Sequence, residues 1–171
     1  MMFKSTLVLL TLLSASMLCN AQQPNPLDTV PEKMPFDVPY GEPVSLDRAE
    51  TAIRAALAEA KKHNWKMNVA VVDSGGNLVA FQRMDGAQLA SIQIAEHKAR
   101  AAAQFRRETK VFENAVQQNN YNYVLTLDGV IASRGGIPIV ADGKIIGAIG
   151  CSGATGSQDE VVCRAGVESL K

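Results

Sequence analysis

Apolar residues recur every three to four positions from Leu46 to His63, with Ala49, Ile53, Ala56, Leu57 and Ala60 on one side. That period predicts an amphipathic helix, and Ser45 just before it supplies an N-cap oxygen. The period then changes. Met67–Val72 is a short apolar run, Asp73-Ser74-Gly75-Gly76-Asn77 has turn chemistry, and Leu78–Arg83 is a second strand-like run. Residues 67–83 therefore read as a β-hairpin. Helical spacing returns from Gln88 to Phe105 through Leu89, Ile92, Ala95, Ala99, Ala102 and Ala103, but Ala90, Ile94 and Ala101 lie on the opposite side. A helix apolar on most sides is covered on most sides. It is either sandwiched in the core or turned with one face towards another subunit. Glu108–Gln118 reads as a shorter helix.

The last third returns to sheet. Tyr121–Leu125 and Val130–Ser133 read as strands, and so do Ile137–Ala141 and Lys144–Cys151. Between the last two, Asp142-Gly143 suits a type I′ turn, which needs positive φ at both positions. Ser157 followed by Glu160 matches a capping box and starts a helix to about Leu170. Hairpins outnumber βαβ crossovers, so the expected class is α+β with a mainly antiparallel sheet.

The first 44 residues follow other rules. Lys4, the apolar run from Leu7 to about Leu18, and Cys19-Asn20-Ala21 before Gln22 make residues 1–21 a secretory signal peptide. Lipidation at Cys19 fits less well, because the bulky Leu18 precedes it. The run is too short to span a membrane comfortably, so no span is expected after cleavage. Residues 22–44 hold six of the seven prolines and read as an extended leader, with 22–34 as a disordered linker and Phe36, Val38 and Tyr40 available to dock on the domain or on a neighbouring subunit. The folded domain is expected over 45–171. A secreted or periplasmic location follows from the signal peptide.

With 17 basic and 17 acidic residues the chain is neutral, which speaks against a nucleic-acid partner. After removal of the signal two cysteines remain, Cys151 and Cys163. They are either a disulfide or two small buried hydrophobes. The glycines between Gly135 and Gly156 fit neither a Walker loop nor a dinucleotide fingerprint, since no Gly-Lys-Ser/Thr and no Gly-x-Gly-x-x-Gly occurs. Gly143 belongs to the turn, and Gly147 inside a strand suggests close approach of another backbone. Ser152-Gly153-Ala154-Thr155-Gly156-Ser157 joins a strand to a helix start. It is either a tight link or a pocket whose N–H and hydroxyl groups hold a carboxylate or other anion. Only two histidines occur, with no CxxC or HExxH spacing, which argues against a zinc site. His63 reads as a helix-end cap. His97 is either a satisfied interface histidine or a ligand or acid–base group. Lys98 and Arg100 read as solvated charges, the alternative being an anionic ligand on the side where Arg134 emerges.

Ala95-Glu96-His97-Lys98-Ala99-Arg100-Ala101-Ala102 fits A-x-x-K-A-x-x-A and is followed by Phe105 and Thr109. Gly135-Gly136-Ile137-Pro138-Ile139, Asp142-Gly143, Ile146-Gly147-Ala148-Ile149-Gly150, Ser152-Gly153 and Gln158-Asp159 complete a pattern. On these residues the chain resembles the GlcG/HbpS family of small haem-binding-type proteins over about residues 45–170. Similar domains end some propanediol-utilisation proteins. The resemblance implies a profilin-like fold, an antiparallel sheet flanked by helices. It also implies a homo-oligomer and, in some secreted members, binding of haem or iron. It places His97, Lys98 and Thr109 in the matching helix region. The leading expectation is a secreted haem-binding homo-oligomer with His97 as first candidate for the iron and Lys98, Arg100 or Arg134 for the propionates. Thr109, Gly135, Gly136, Ser152, Gly153, Thr155 and Ser157 are further ligand candidates. The alternative is a cofactor-independent lyase, isomerase or hydrolase for a small carboxylated or hydroxylated metabolite, in which His97 or Lys98 moves protons. A third reading is a structural or signalling oligomer whose partner is another protein.

Overall fold

The structure, a computed structural model, describes residues 25–34 and 36–171. The expected signal peptide, 1–21, lies outside the described residues. Residues 25–34 belong to a separate small unit, in which Pro26–Asp28 forms one 3-10 turn.

In the main unit, α1 (Leu46–Lys62) precedes the hairpin β1 (Asn68–Asp73) and β2 (Leu78–Arg83). Then come α2 (Ser91–Gln104), α3 (Lys110–Gln117), a 3-10 helix (Asn122–Thr126), the hairpin β3 (Gly136–Ala141) and β4 (Lys144–Ser152), and α4 (Gly156–Glu168). The strands pair antiparallel in the order β2-β1-β4-β3. Val69 and Val71 of β1 enter a core with Ile53 and Ala56 of α1 and Val162 and Cys163 of α4. Ala70 and Val72 enter a second core with Ala95, Ala99 and Ala102 of α2. The sheet is thus covered on both faces, and the α+β class is as expected. It also explains why β1 lacks the alternation of a one-faced strand.

The alanine stripe of α2 has a partner pattern in the sheet. A Cβ at Gly150 would overlap the Ala95 carbonyl, and one at Gly136 would overlap the Lys98 carbonyl. Helix and sheet therefore touch backbone to backbone. The β3–β4 turn has φ 49° at Asp142 and 73° at Gly143, as a type I′ turn requires. His63 caps α1 and bonds Glu59 Oε1 at 3.1 Å.

Three expectations need correction. Tyr121–Leu125 is not a strand; the 3-10 helix Asn122–Thr126 covers most of it, and of that element only Val124 is buried. Val130–Ser133 is irregular. The helix start is capped two residues before the expected Ser157–Glu160 box: Thr155 is the N-cap of α4 and forms the box with Gln158. Thr155-x-x-Gln158 and Ser157-x-x-Glu160 both satisfy the pattern, and Gly156 already has helical geometry.

The leader's last part docks. Tyr40 bridges Ile145 in parallel, Gly41 N and Ile145 O lie 2.8 Å apart, and Val44 N donates to Ile146 O at 2.7 Å. The Tyr40 hydroxyl donates to Gln104 O at 2.8 Å, satisfying an open carbonyl at the end of α2. Beyond that end, Arg106 N donates to Ala103 O and Arg107 N to Ala102 O, both at 3.2 Å, a Schellman closure. Its left-handed residue is Arg106, φ 56°, where glycine is favoured. Arg106→Gly is expected to raise stability by roughly 0.5–1 kcal/mol. An unchanged or lower urea midpoint would mean that the bond from Arg106 Nη1 to Val38 O (3.3 Å) outweighs the strain.

Candidate functional site

Lys98 is not a solvated charge. It lies on the core stripe of α2, between Ala95 and Ala102, and its side chain is 1% exposed. Its Nζ donates to Asp159 Oδ2 at 2.8 Å and to the Cys151 carbonyl at 3.2 Å. Asp159, in the first turn of α4, is 3% exposed and takes the Ala154 N–H on its other oxygen at 3.1 Å. Burial pushes the Asp159 carboxyl above its ordinary range, and the Lys98 charge opposes this. The folded protein therefore holds a proton at Asp159 more readily than the unfolded chain does. That contribution to stability is present at low pH and is lost as pH rises through the raised value.

The glycine pair sits against this ion pair. A Cβ at Gly135 would come 2.9 Å from Asp159 Cβ and 3.2 Å from Lys98 Nζ. Gly136 N donates to Thr109 Oγ1 at 2.9 Å, and Thr109 N returns a bond to Gly136 O at 3.0 Å. Thr109 is fully buried and ties the start of α3 to β3. Ser152 is buried too, and its hydroxyl donates to Ser91 Oγ at 3.1 Å beside Asn68, whose Oδ1 is buried without a partner. A Cβ at Gly153 would overlap the Lys66 carbonyl.

In the Ser152–Ser157 link, the Ala154 amide serves Asp159 and the Thr155 amide serves the capping box, whose other half is the Gln158 amide on Thr155 Oγ1. The carboxylate it holds is the chain's own Asp159. Ser157 sits on the exposed first turn, with its hydroxyl 3.1 Å from that of Thr155. Cys151 and Cys163 are joined, with Cα atoms 5.6 Å apart and both residues fully buried. The bond ties the end of β4 to α4 one turn beyond Asp159.

The other candidates lie apart from this core. Arg134 is half-buried in an ion-pair network, with Nε 2.6 Å from Glu113 Oε1 and Nη1 3.4 Å from Glu160 Oε2. Arg100 is exposed on the outer side of α2, its Nε 3.4 Å from Gly76 O. His97 is half-exposed, with Nε2 3.2 Å from the Gly129 carbonyl. The structure thus joins Lys98, Thr109, Gly135 and Gly136 in one buried cluster, sets buried Ser152 beside Ser91 and Asn68 and half-buried Gly153 against Lys66, and leaves His97 and Arg100 at the surface. Sequence reasoning gave no role to Asp159, the partner of Lys98, or to Arg107. Arg107 is half-buried; burial and the neighbouring Arg106 charge depress its pKa. The sequence signal for a buried partner of Lys98 was the position of that lysine within an otherwise alanine stripe.

Among the described residues, no group of three or more His, Cys, Asp and Glu side chains is placed to hold a metal ion. No helix there is long and apolar enough to cross a membrane.

Residues 44–168 match the model of a family described as haem degrading protein HbpS-like. Protein GlcG of Escherichia coli K12 is 42% identical over 109 residues, 64% of this chain and 81% of that protein. Among solved structures, a double mutant of Streptomyces reticuli HbpS superposes with a TM-score of 0.70 at 30% identity, covering 84% of this chain and 97% of that one. A PduOC:haem complex superposes with a TM-score of 0.68 at 25% identity, covering 75% of this chain and 96% of the other.

Proposed function

The chain belongs to the HbpS-like family, and on that premise we propose that it is an exported haem-binding protein that works as a homo-oligomer. The observation that carries the reading is the match of nearly the whole main unit to a domain whose structural relatives include a haem complex. The donor set fits the group. His97 offers a half-exposed imidazole at the surface, where an iron ligand is reachable, and its ring is steered by the Gly129 carbonyl. Haem would supply the redox-active iron; the protein supplies the imidazole, apolar surface and cationic partners for the propionates. The signal-peptide-like pattern of residues 1–21 supports export, and a buried disulfide suits an oxidising compartment.

The enzyme alternative has less support from the geometry. Lys98 is sealed from substrate by Asp159 and the sheet, so it is a structural cation rather than a proton carrier at a cleft. That reading then rests on His97 alone.

Titration of the purified protein with haemin, followed by absorbance alongside light scattering, tests the proposal. Saturable binding with a defined Soret band is expected, with affinity at least about tenfold weaker and a shifted band in His97→Ala. Weak, non-saturating binding by the wild-type protein would overturn the haem reading. A scattering mass of one chain would overturn the oligomer.

A further inference from the structure

On the haem-binding reading, we propose that the groove between the edge strand β3 and the C-terminal half of α4 receives the carboxylate-bearing edge of the ligand, with Arg107 as its charge partner. The groove encloses about 330 Å³, and Ile137, Pro138, Val140, Val167 and Leu170 give it an apolar lining. That volume suits one edge of a macrocycle laid against the surface. Of its other charged groups, Arg164 makes a bidentate pair with Glu108 at 2.7 and 2.8 Å, and Lys171 is an exposed cation at the rim.

Arg107 is different. Its Nε donates to Phe105 O at 2.9 Å, but its two terminal nitrogens have no hydrogen-bond partner and no carboxylate within ion-pair distance among the described residues. Its guanidinium lies 3.2 Å from the centre of the Phe36 ring and 5.6 Å from that of Phe112. A half-buried cation held by aromatic faces, beside a second arginine and without an acid, is electrostatically unsatisfied. Its planar fork is also pre-oriented, which favours two-point binding of a carboxylate. A haem propionate meets both demands, with the ring edge on the apolar lining. An added β-strand is the poorer occupant, because Pro138 deprives the edge strand of an amide donor.

The test is a titration of wild type, Arg107→Ala and Arg107→Lys with haemin and with haemin dimethyl ester, whose propionates carry no charge. Wild type is expected to bind haemin about tenfold or more tightly than the ester. Arg107→Ala should lose that preference, and Arg107→Lys should keep part of it. The wild-type comparison stands even if a variant fails to fold, and thermal melts identify such a variant. Saturable wild-type binding that does not distinguish haemin from its ester overturns this inference alone. So does an Arg107→Ala protein that weakens both ligands equally. If wild type binds neither ligand saturably, the haem reading fails, and this inference with it.

Discussion

Asp159→Ala is expected to lower stability by about 3–5 kcal/mol, because it leaves the Lys98 ammonium buried without its counter-charge. For a domain of this size that is a fall in melting temperature on the order of 10 °C. Solvent does not screen the pair, whose side chains are only 1% and 3% exposed. The cost should not add across the pair. Lys98→Met with Asp159→Leu removes both charges and fills the same space, and it should recover most of the loss. Thermal and urea unfolding of the single and double variants measure this. A single variant within 1 kcal/mol of wild type would show that water reaches Lys98 and that the pair is not sealed.

Cys151→Ala with Cys163→Ala should cost about 3 kcal/mol, the loop-entropy value for a closure spanning a separation of 12 residues. Both sulfurs are fully buried, so reductant should reach them only when α4 lifts from β4. Reduction by dithiothreitol is therefore expected to be slow in native buffer and to accelerate steeply below the unfolding midpoint of urea. Fast reduction of the native protein would show that α4 opens locally. The ion pair fastens the first turn of α4 to Lys98 of α2, which also bonds the Cys151 carbonyl of β4, and the disulfide fastens the next turn to β4 directly. Their losses should be coupled, and a cycle over the two double variants that came out additive would contradict that.

Local chemistry was legible in the sequence, and distant partnership was not. Asp142-Gly143 announces its turn because few other residue pairs accept positive φ twice. The hairpins and the long helices follow from periodicity, which survives in any tertiary setting. Tyr121–Leu125 has strand-like composition, yet three of its five residues are exposed and the described sheet offers it no neighbour, so it coils into a 3-10 turn. Lys98 reads as a surface charge because His97 before it and Arg100 two residues after it are polar. What buries it is a carboxylate 61 residues away. The small-residue stripe of α2 and the glycines of β3 and β4 are each visible in the sequence. That they fit into one another is a property of the fold. Arg107 carries no local mark at all: its isolation from acids emerges only when Phe36, Phe112 and the α4 side chains are brought around it.

The docked leader also has a mechanical consequence. Tension arriving along the chain from before Phe36 meets the backbone bonds of Pro39, Gly41 and Val44 to β4, and the Tyr40 hydroxyl on α2, before it reaches α1. These attachments carry the load together on a central strand and a long helix. They work as a strain relief: a pull on the chain is shared between β4 and the end of α2, and the N-terminal turn of α1 does not have to bear it.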